Sequence, residues 1–255
     1  MRARLAYPAW FLALLLVAAV IQWPAAWLAP WLDSASGGKW RLAAASGSLW
    51  HGAGALLVRT GSNAAWRNVQ SITWNVHGSE LLRGRLAIDI APEQGETRVV
   101  ATPGGFAVEQ LDATLPVSEI ASLLPGALGR YGWTGMLHAR GAQFACGWTL
   151  RECHGEIELL WNDAAVAEVP GPALGDYRLH LIGDGPVLRV DLATLRGRLQ
   201  FSGNGEIAGG GKLHFRGEAS AQPSGNDNQE SLNSLLGTLG RPAGGGKYLI
   251  EYRES

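Results

Sequence analysis

From about residue 72 to the C-terminus, apolar side chains alternate with polar ones at a period of two, the spacing of a strand with one buried and one wet face. Ile72, Trp74 and Val76 oppose Thr73, Asn75 and His77, and Leu86, Ile88 and Ile90 oppose Arg85 and Asp89. The pattern returns in Ile157 and Trp161 against Glu156 and Glu158, and in Tyr177, Leu179 and Leu181 against Arg178 and His180. It continues in Leu188, Val190 and Leu192 against Arg189 and Asp191, and in Leu213 and Phe215 against His214 and Arg216. About ten strands are expected on this basis. The 35 glycines of the 255-residue chain fall between these runs without a collagen period, which is the mark of many turns. A glycine, any residue, then Leu or Ile recurs at irregular spacing, as at Gly84, Gly135, Gly155, Gly197, Gly205 and Gly211. Glycine before a strand is also simply turn chemistry. The expected fold is mainly β: a meandering antiparallel sheet, twisted and folded over itself so that one face is dry.

Helical signals are sparse. Ser118 can cap Glu119–Leu124 ahead of Pro125, and Glu230–Leu239 is closed by Gly240 and Pro242, so two short helices are predicted. The final strand is placed at Lys247–Arg253, with Tyr248, Ile250 and Tyr252 on one face. Residues 33–46 are small and polar and read as a tether, with one elongated β domain over 47–255.

Ahead of the domain lies a run of 28 residues, 5–32, without a formal charge, directly behind Arg2 and Arg4. A helix needs ~20 mostly apolar residues to cross a bilayer, and Trp10, Trp23, Trp27 and Trp31 suit its interfaces. The run therefore reads as a transmembrane anchor with residues 1–4 as a cytoplasmic tail. Basic residues favour the cytoplasmic side, so Arg2 and Arg4 put the N-terminus inside and the bulk outside, in the periplasm of a Gram-negative cell. A cleaved secretory signal is the alternative. It requires a small-x-small site after a shorter apolar run, and Ala18-Ala19-Val20, Pro24-Ala25-Ala26 and Ala26-Trp27-Leu28 each fail at one small position.

Of 21 Lys and Arg residues, Arg2 and Arg4 precede the run, leaving 19 against 22 Asp and Glu, a formal charge of −3. Such a domain has no electrostatic reason to bind nucleic acid. The two cysteines, Cys146 and Cys153, are separated by six residues in a region assigned to a disulfide-permissive compartment. A disulfide between them would stabilise by roughly 2.5 kcal/mol on the chain-entropy relation; two buried thiols are the other reading. The six histidines (51, 77, 138, 154, 180 and 214) show no metal-ligand spacing and no close His/Asp pairing that would mark a metal site. No Gly-x-Ser-x-Gly elbow occurs. Gly203-x-Gly205-x-x-Ala208 lacks the helix a dinucleotide fingerprint needs, and Gly211-Lys212 and Gly246-Lys247 lack the rest of a phosphate loop. No catalytic, cofactor-binding or metal residue is assigned, and the expectation is not an enzyme. Seven tryptophans beyond the run, at 40, 50, 66, 74, 133, 148 and 161, read mostly as core, while an exposed indole would suit a partner surface.

The order of the motifs carries a resemblance. After the anchor come Gly47-Ser-Leu-Trp-His-Gly52, Ile72-x-Trp74 and Leu81-Leu-Arg-Gly-Arg-Leu86. Leu115-Pro116, Leu123-Leu124-Pro125, Cys146…Cys153-x-Gly155, Leu239-Gly240 and Gly246-Lys-Tyr-Leu249 follow. Over essentially its whole length the chain resembles the type II secretion system protein N family, GspN, although Gly245 stands where members often have aspartate. The resemblance implies a single-pass inner-membrane accessory component, without cofactor or catalysis, of the apparatus that exports folded periplasmic proteins through an outer-membrane secretin. Its partners would be other secretion components, the inner-membrane platform or the secretin. The sheet also looks like segments of AsmA- and TamB-like envelope proteins, which would imply a lipid-binding or lipid-transfer module with an acyl chain in the sheet groove.

Overall fold

The computed structural model describes residues 22–59, 65–121, 131–169, 171–222 and 229–253. Fourteen strands make one antiparallel sheet. They are β1 (Trp40–Gly47), β2 (His51–Val58), β3 (Arg67–Val76), β4 (Leu86–Pro92), β5 (Gly95–Thr102), β6 (Gly105–Pro116) and β7 (Trp133–Gly147), then β8 (Cys153–Val166), β9 (Gly175–Gly185), β10 (Leu188–Gly197), β11 (Leu199–Ala208), β12 (Lys212–Ala221), β13 (Arg241–Gly244) and β14 (Lys247–Arg253). Neighbours in sequence are neighbours in space up to β12, after which β14 pairs with β12 and β13 takes the edge. Four short helices accompany them: α1 (Leu28–Ala35), α2 (Gly78–Leu81), α3 (Val117–Ile120) and α4 (Gln229–Leu239). The final strand has the expected bounds.

The expected alternation becomes a register that crosses almost the whole sheet. Side chains directly opposite in paired strands share a face, and one row runs Trp74, Ile90, Thr97, Leu111, Gly141, Ile157, Leu181, Val190, Gly205, Phe215, Tyr252. The neighbouring row, on the opposite face, runs Asn75, Asp89, Arg98, Gln110, Ala142, Glu156, Ile182, Arg189, Glu206, His214, Arg253. The first face is apolar and the second carries the charge. The sheet is also coiled: β3 and β6 are three strands apart, about 14 Å on a flat sheet, yet their Cα atoms come within 8 Å.

Three buried clusters sit on the apolar face. One gathers Val117, Ala121, Trp133, Val166, Leu174 and Leu199 beneath Leu232, Leu235 and Leu236 of α4. A second surrounds Cys146 and Cys153 with Phe144 and Leu188. The third holds Ala25, Leu42 and Trp74, with Leu28, Ala29 and Leu32 of α1 packed against them.

Several boundaries differ from those expected. The tether at 33–46 and a domain start at 47 do not hold: Trp40–Gly47 is β1, and Leu42, 5 % exposed, pairs with Leu56 of β2. The run Ala43-Ala44-Ala45-Ser46 looks like linker because small side chains hide a strand's alternation. Among the described residues ten strands become fourteen, and two short helices become four. The short helix foreseen from Glu119 spans Val117–Ile120; its foreseen end at 122–124 lies outside the described residues.

Residues 1–21, with Arg2, Arg4 and most of the charge-free run, lie outside the described residues as well. The end of that run folds onto the sheet. Pro24 bridges Ser48, Ala25–Trp27 forms a 3-10 turn, and α1 lies against the apolar face at β1. A span therefore has to be sought before Ala25. Among the described residues no helix is long and apolar enough to cross a membrane.

Candidate interaction surfaces on the two faces of the sheet

On the apolar face a row of five rings crosses the strands. Tyr131, Trp133, Trp161, Tyr177 and Phe201 follow one another with centroids 6.0, 5.4, 5.9 and 5.6 Å apart, in tilted and edge-on arrangements that such rings prefer. Polar tips of two rings are satisfied by backbone: Trp161 Nε1 donates to Thr134 O at 3.0 Å, and Tyr177 Oη donates to Leu199 O at 2.9 Å. Burial pushes the Tyr177 hydroxyl well above the usual phenol range, so it stays a neutral donor. Of the seven tryptophans beyond the run, Trp133 and Trp74 are core at 4 and 8 % exposure, Trp40, Trp50, Trp66 and Trp161 are half-buried, and Trp148 is exposed, so fewer are core than expected.

The opposite end of the same strands is closed by the Cys146–Cys153 disulfide, whose Cα atoms are 4.1 Å apart. It ties β7 to β8 across a turn in which Leu150 and Glu152 hold left-handed backbone at φ 54° and 57°. Phe106, Val108, Leu150, Ile157, Leu181 and Ile207 pack around the bridge. Outside the turn, Trp148 is exposed, rests against Phe106 at 5.8 Å and donates from Nε1 to Thr102 O at 3.0 Å. Between the two packed ends, Leu159, Leu179 and Leu192 share the apolar face, are half-buried, and belong to none of the three clusters.

The polar face is laced with cross-strand ion pairs. Arg98 on β5 grips Asp89 on β4 with both ends of its fork, Nε to Oδ1 at 2.5 Å and Nη2 to Oδ2 at 2.9 Å, and His77 Nε2 lies 2.6 Å from Oδ2. The Arg98 contact, joined by His77, holds the Asp89 carboxyl down at about 2 against the opposing effect of burial. His77 and Asp89 are 12 apart in sequence; Asp89 stands opposite Asn75 in the β3–β4 register, and His77, just past the end of β3, reaches it diagonally. An alternating pattern does reveal that both lie on one face; it does not reveal which residues stand opposite. Farther along come Glu156 with His180, Arg216 with Glu251 and Lys247 with Glu218. A recess on this face is lined by Arg189, Asp191, Glu206, His214, Arg216 and Arg253, of mixed sign. Among the described residues no three His, Cys, Asp or Glu side chains are grouped so as to hold a metal ion.

One face thus offers apolar area and the other an ordered array of charges. Comparison with known proteins adds one finding. The family model described as Type II secretion system (T2SS), protein N matches residues 38–251, from just before β1 into β14. No curated protein and no solved structure matches the chain.

Proposed function

The chain belongs to the type II secretion system protein N family, and from that premise we propose that it is a non-enzymatic accessory component of the type II secretion pathway, held in the inner membrane and supporting export of folded periplasmic proteins. Residues 5–23, charge-free behind Arg2 and Arg4, form the single span, of the ~20 residues a bilayer needs, and the sheet stands in the periplasm. The observation that carries the reading is the family match over 38–251, which takes in β1 through β13 and most of β14.

The sheet's construction suits holding rather than turnover. Its ladder of strand pairing gives a stiff body, its ion-paired face is a patterned polar surface for partner domains of the secretion platform or secretin, and its disulfide suits an oxidising compartment. Deleting the gene is expected to leave secreted substrates folded in the periplasm while signal-dependent translocation across the inner membrane continues. Crosslinks from the polar face to other secretion components should accompany the phenotype.

The half-buried Leu159, Leu179 and Leu192 favour a second reading, a lipid-handling groove. Intact secretion in the deletion strain, together with stoichiometric phospholipid on the purified chain, would replace the scaffold with that reading.

A further inference from the structure

A helix lying on a protein surface normally buries one stripe and turns charged or polar residues outward. The segment Ala25–Ala35, about 16 Å long, does the first, and the second only at its end, at Asp33 and Ser34. Ala25, Leu28, Ala29 and Leu32 pack toward Leu42 and Trp74. The outward positions are Trp23, Ala26, Trp27, Pro30, Trp31 and Ser34, all exposed and none charged. Trp27 and Trp31, spaced four apart, fall on one side of the helical segment, Trp23 stands just ahead of it, and the three are 42, 63 and 66 % exposed in chain order. Trp23 and Trp27 meet edge-on at 6.1 Å. Pro30 is accommodated because it falls in the first turn of α1, where no intrahelical N–H is lost.

Three indoles in a row with no charge among them make a surface suited to a medium that is half apolar and half wet. The chain outside the described residues says which medium: the charge-free run from Leu5 leads directly into Trp23. The far end of the segment is net basic: Lys39 and Arg67 are exposed and Arg59 and Arg41 half-exposed, against one carboxylate, Asp33, which pairs with Arg41 at 2.9 Å. Arg59 and Arg41 each stack over Trp66 at 4.4 Å, which holds their cationic heads close to the β1–β3 end of the sheet. A tryptophan stripe that ends in arginines and lysine matches the headgroup layer of an anionic bilayer.

We propose that the Trp23–Trp27–Trp31 stripe lies in the headgroup region of the outer leaflet of the membrane that residues 5–23 cross, so that α1 is a surface-lying foot that seats the β1 end of the sheet on the bilayer. The inference rests on the anchor reading above and adds orientation: the sheet is clamped to the lipid surface by its first strand and is not free to swing on a tether.

The test uses the full chain in phosphatidylethanolamine/phosphatidylglycerol vesicles carrying brominated acyl chains, which quench indoles at the interface. Replacing Trp27→Phe and Trp31→Phe together should lower the bromolipid-quenched share of tryptophan emission, because two quenched emitters are lost. Trp148→Phe, removing an indole equally exposed but remote at 59 %, should raise that share. A rise in the Trp27→Phe/Trp31→Phe variant as well overturns the foot, including the case in which a second copy or another protein covers the stripe. Failure of the parent chain to float with vesicles overturns the anchor, and the foot with it, and that outcome is read separately in the flotation step.

Discussion

Asp176 on β9 accepts the backbone N–H of Asp163 on β8 at 2.8 Å, at a point where the two strands slip register between Trp161 and Ala164. Its other oxygen is held by Arg196 of β10, where that strand slips against β9 between Thr194 and Arg196. One carboxylate therefore braces two bulges on either side of its own strand. Bulges re-aim side chains and strengthen twist, and this pair sits where the aromatic row steps from Trp161 to Tyr177. Burial pushes the Asp176 carboxyl up, and the Asp163 N–H and Arg196 outweigh it, so the group stays ionised with its pKa below the ordinary value.

Asp176→Ala strips an acceptor from a half-buried N–H and releases Arg196, and should cost about 1–3 kcal/mol. Asp176→Asn keeps an acceptor for the Asp163 N–H and should fall between the two. Thermal unfolding of the detergent-solubilised chain ranks the three proteins, and equal midpoints for all of them would show that the bulges hold without the brace.

The Asp89–Arg98 pair predicts a pH dependence. Asp89 is lowered from 3.8 to about 2 in the folded protein, so the folded state favours the carboxylate and the pair's contribution is complete above the unfolded value. It fades as pH falls from about 4 to about 2. Arg98 is 43 % exposed, which keeps the size near ~1 kcal/mol. Arg98→Gln should therefore lower the melting midpoint at pH 6 and converge with the parent near pH 2. A gap that persists at pH 2 would place the effect in packing instead.

Which residues share a face was legible from the period of two, because Ile72, Trp74 and Val76 or Tyr177, Leu179 and Leu181 need no partner to declare it. Breaks in that phase were not. Ala44, Gln143 and Asp163 adopt φ values of 50°, 57° and 51°, and nothing in an alanine, a glutamine or an aspartate forces left-handed backbone; the paired strand does. Strand β1 was hidden for a similar reason, since Ala43, Ala44 and Ala45 carry too little side chain to show alternation. Helix α1 was hidden by the charge-free run, whose hydropathy continues to Leu32 although the chain from Pro24 onward packs on the sheet. Of the glycines before Leu or Ile, Gly84, Gly197 and Gly211 stand just ahead of β4, β11 and β12, whereas Gly135, Gly155 and Gly205 lie inside strands; at Gly155 the need for glycine is visible, since φ is 98° and a Cβ would stand 2.5 Å from Gln143 O. The charge clusters were illegible, because Asp89 meets Arg98 and His77 only through register.

The disulfide is the simplest element to isolate. Peptide mapping without reductant should recover Cys146 linked to Cys153, and Cys146→Ala/Cys153→Ala should lower stability by roughly 2.5 kcal/mol. The loss should be local: Phe144, Leu188 and the bridge pack together, so hydrogen exchange should quicken at the β7–β8 turn and remain slow around Leu235 and Leu236. Uniformly faster exchange would mean that the bridge holds the whole sheet rather than its end.

Phe215 lies over a glycine seat on the apolar face, and the seat can be tested by coupling. A Cβ on Gly203 would come 2.6 Å from Phe215 Cζ and 2.7 Å from Arg216 O, and one on Gly217 would come 3.1 Å from Phe215 Cε1 and 2.7 Å from Ser202 O. Glycine in a strand is ordinarily a weakness, so Gly203→Ala would stabilise if only backbone freedom mattered. The ring and the facing carbonyl oppose it, and the expected result is a loss of about 1–3 kcal/mol from overpacking. In a Phe215→Ala background the ring contact is gone while the carbonyl remains, so the same substitution should cost less without becoming free. A double-mutant cycle that returns a coupling of about 0.5 kcal/mol or more assigns the glycine to the ring. Additive effects would assign it to the backbone approach of β11 and β12 alone, and the aromatic at 215 would then tolerate replacement by leucine with the strand pairing unchanged.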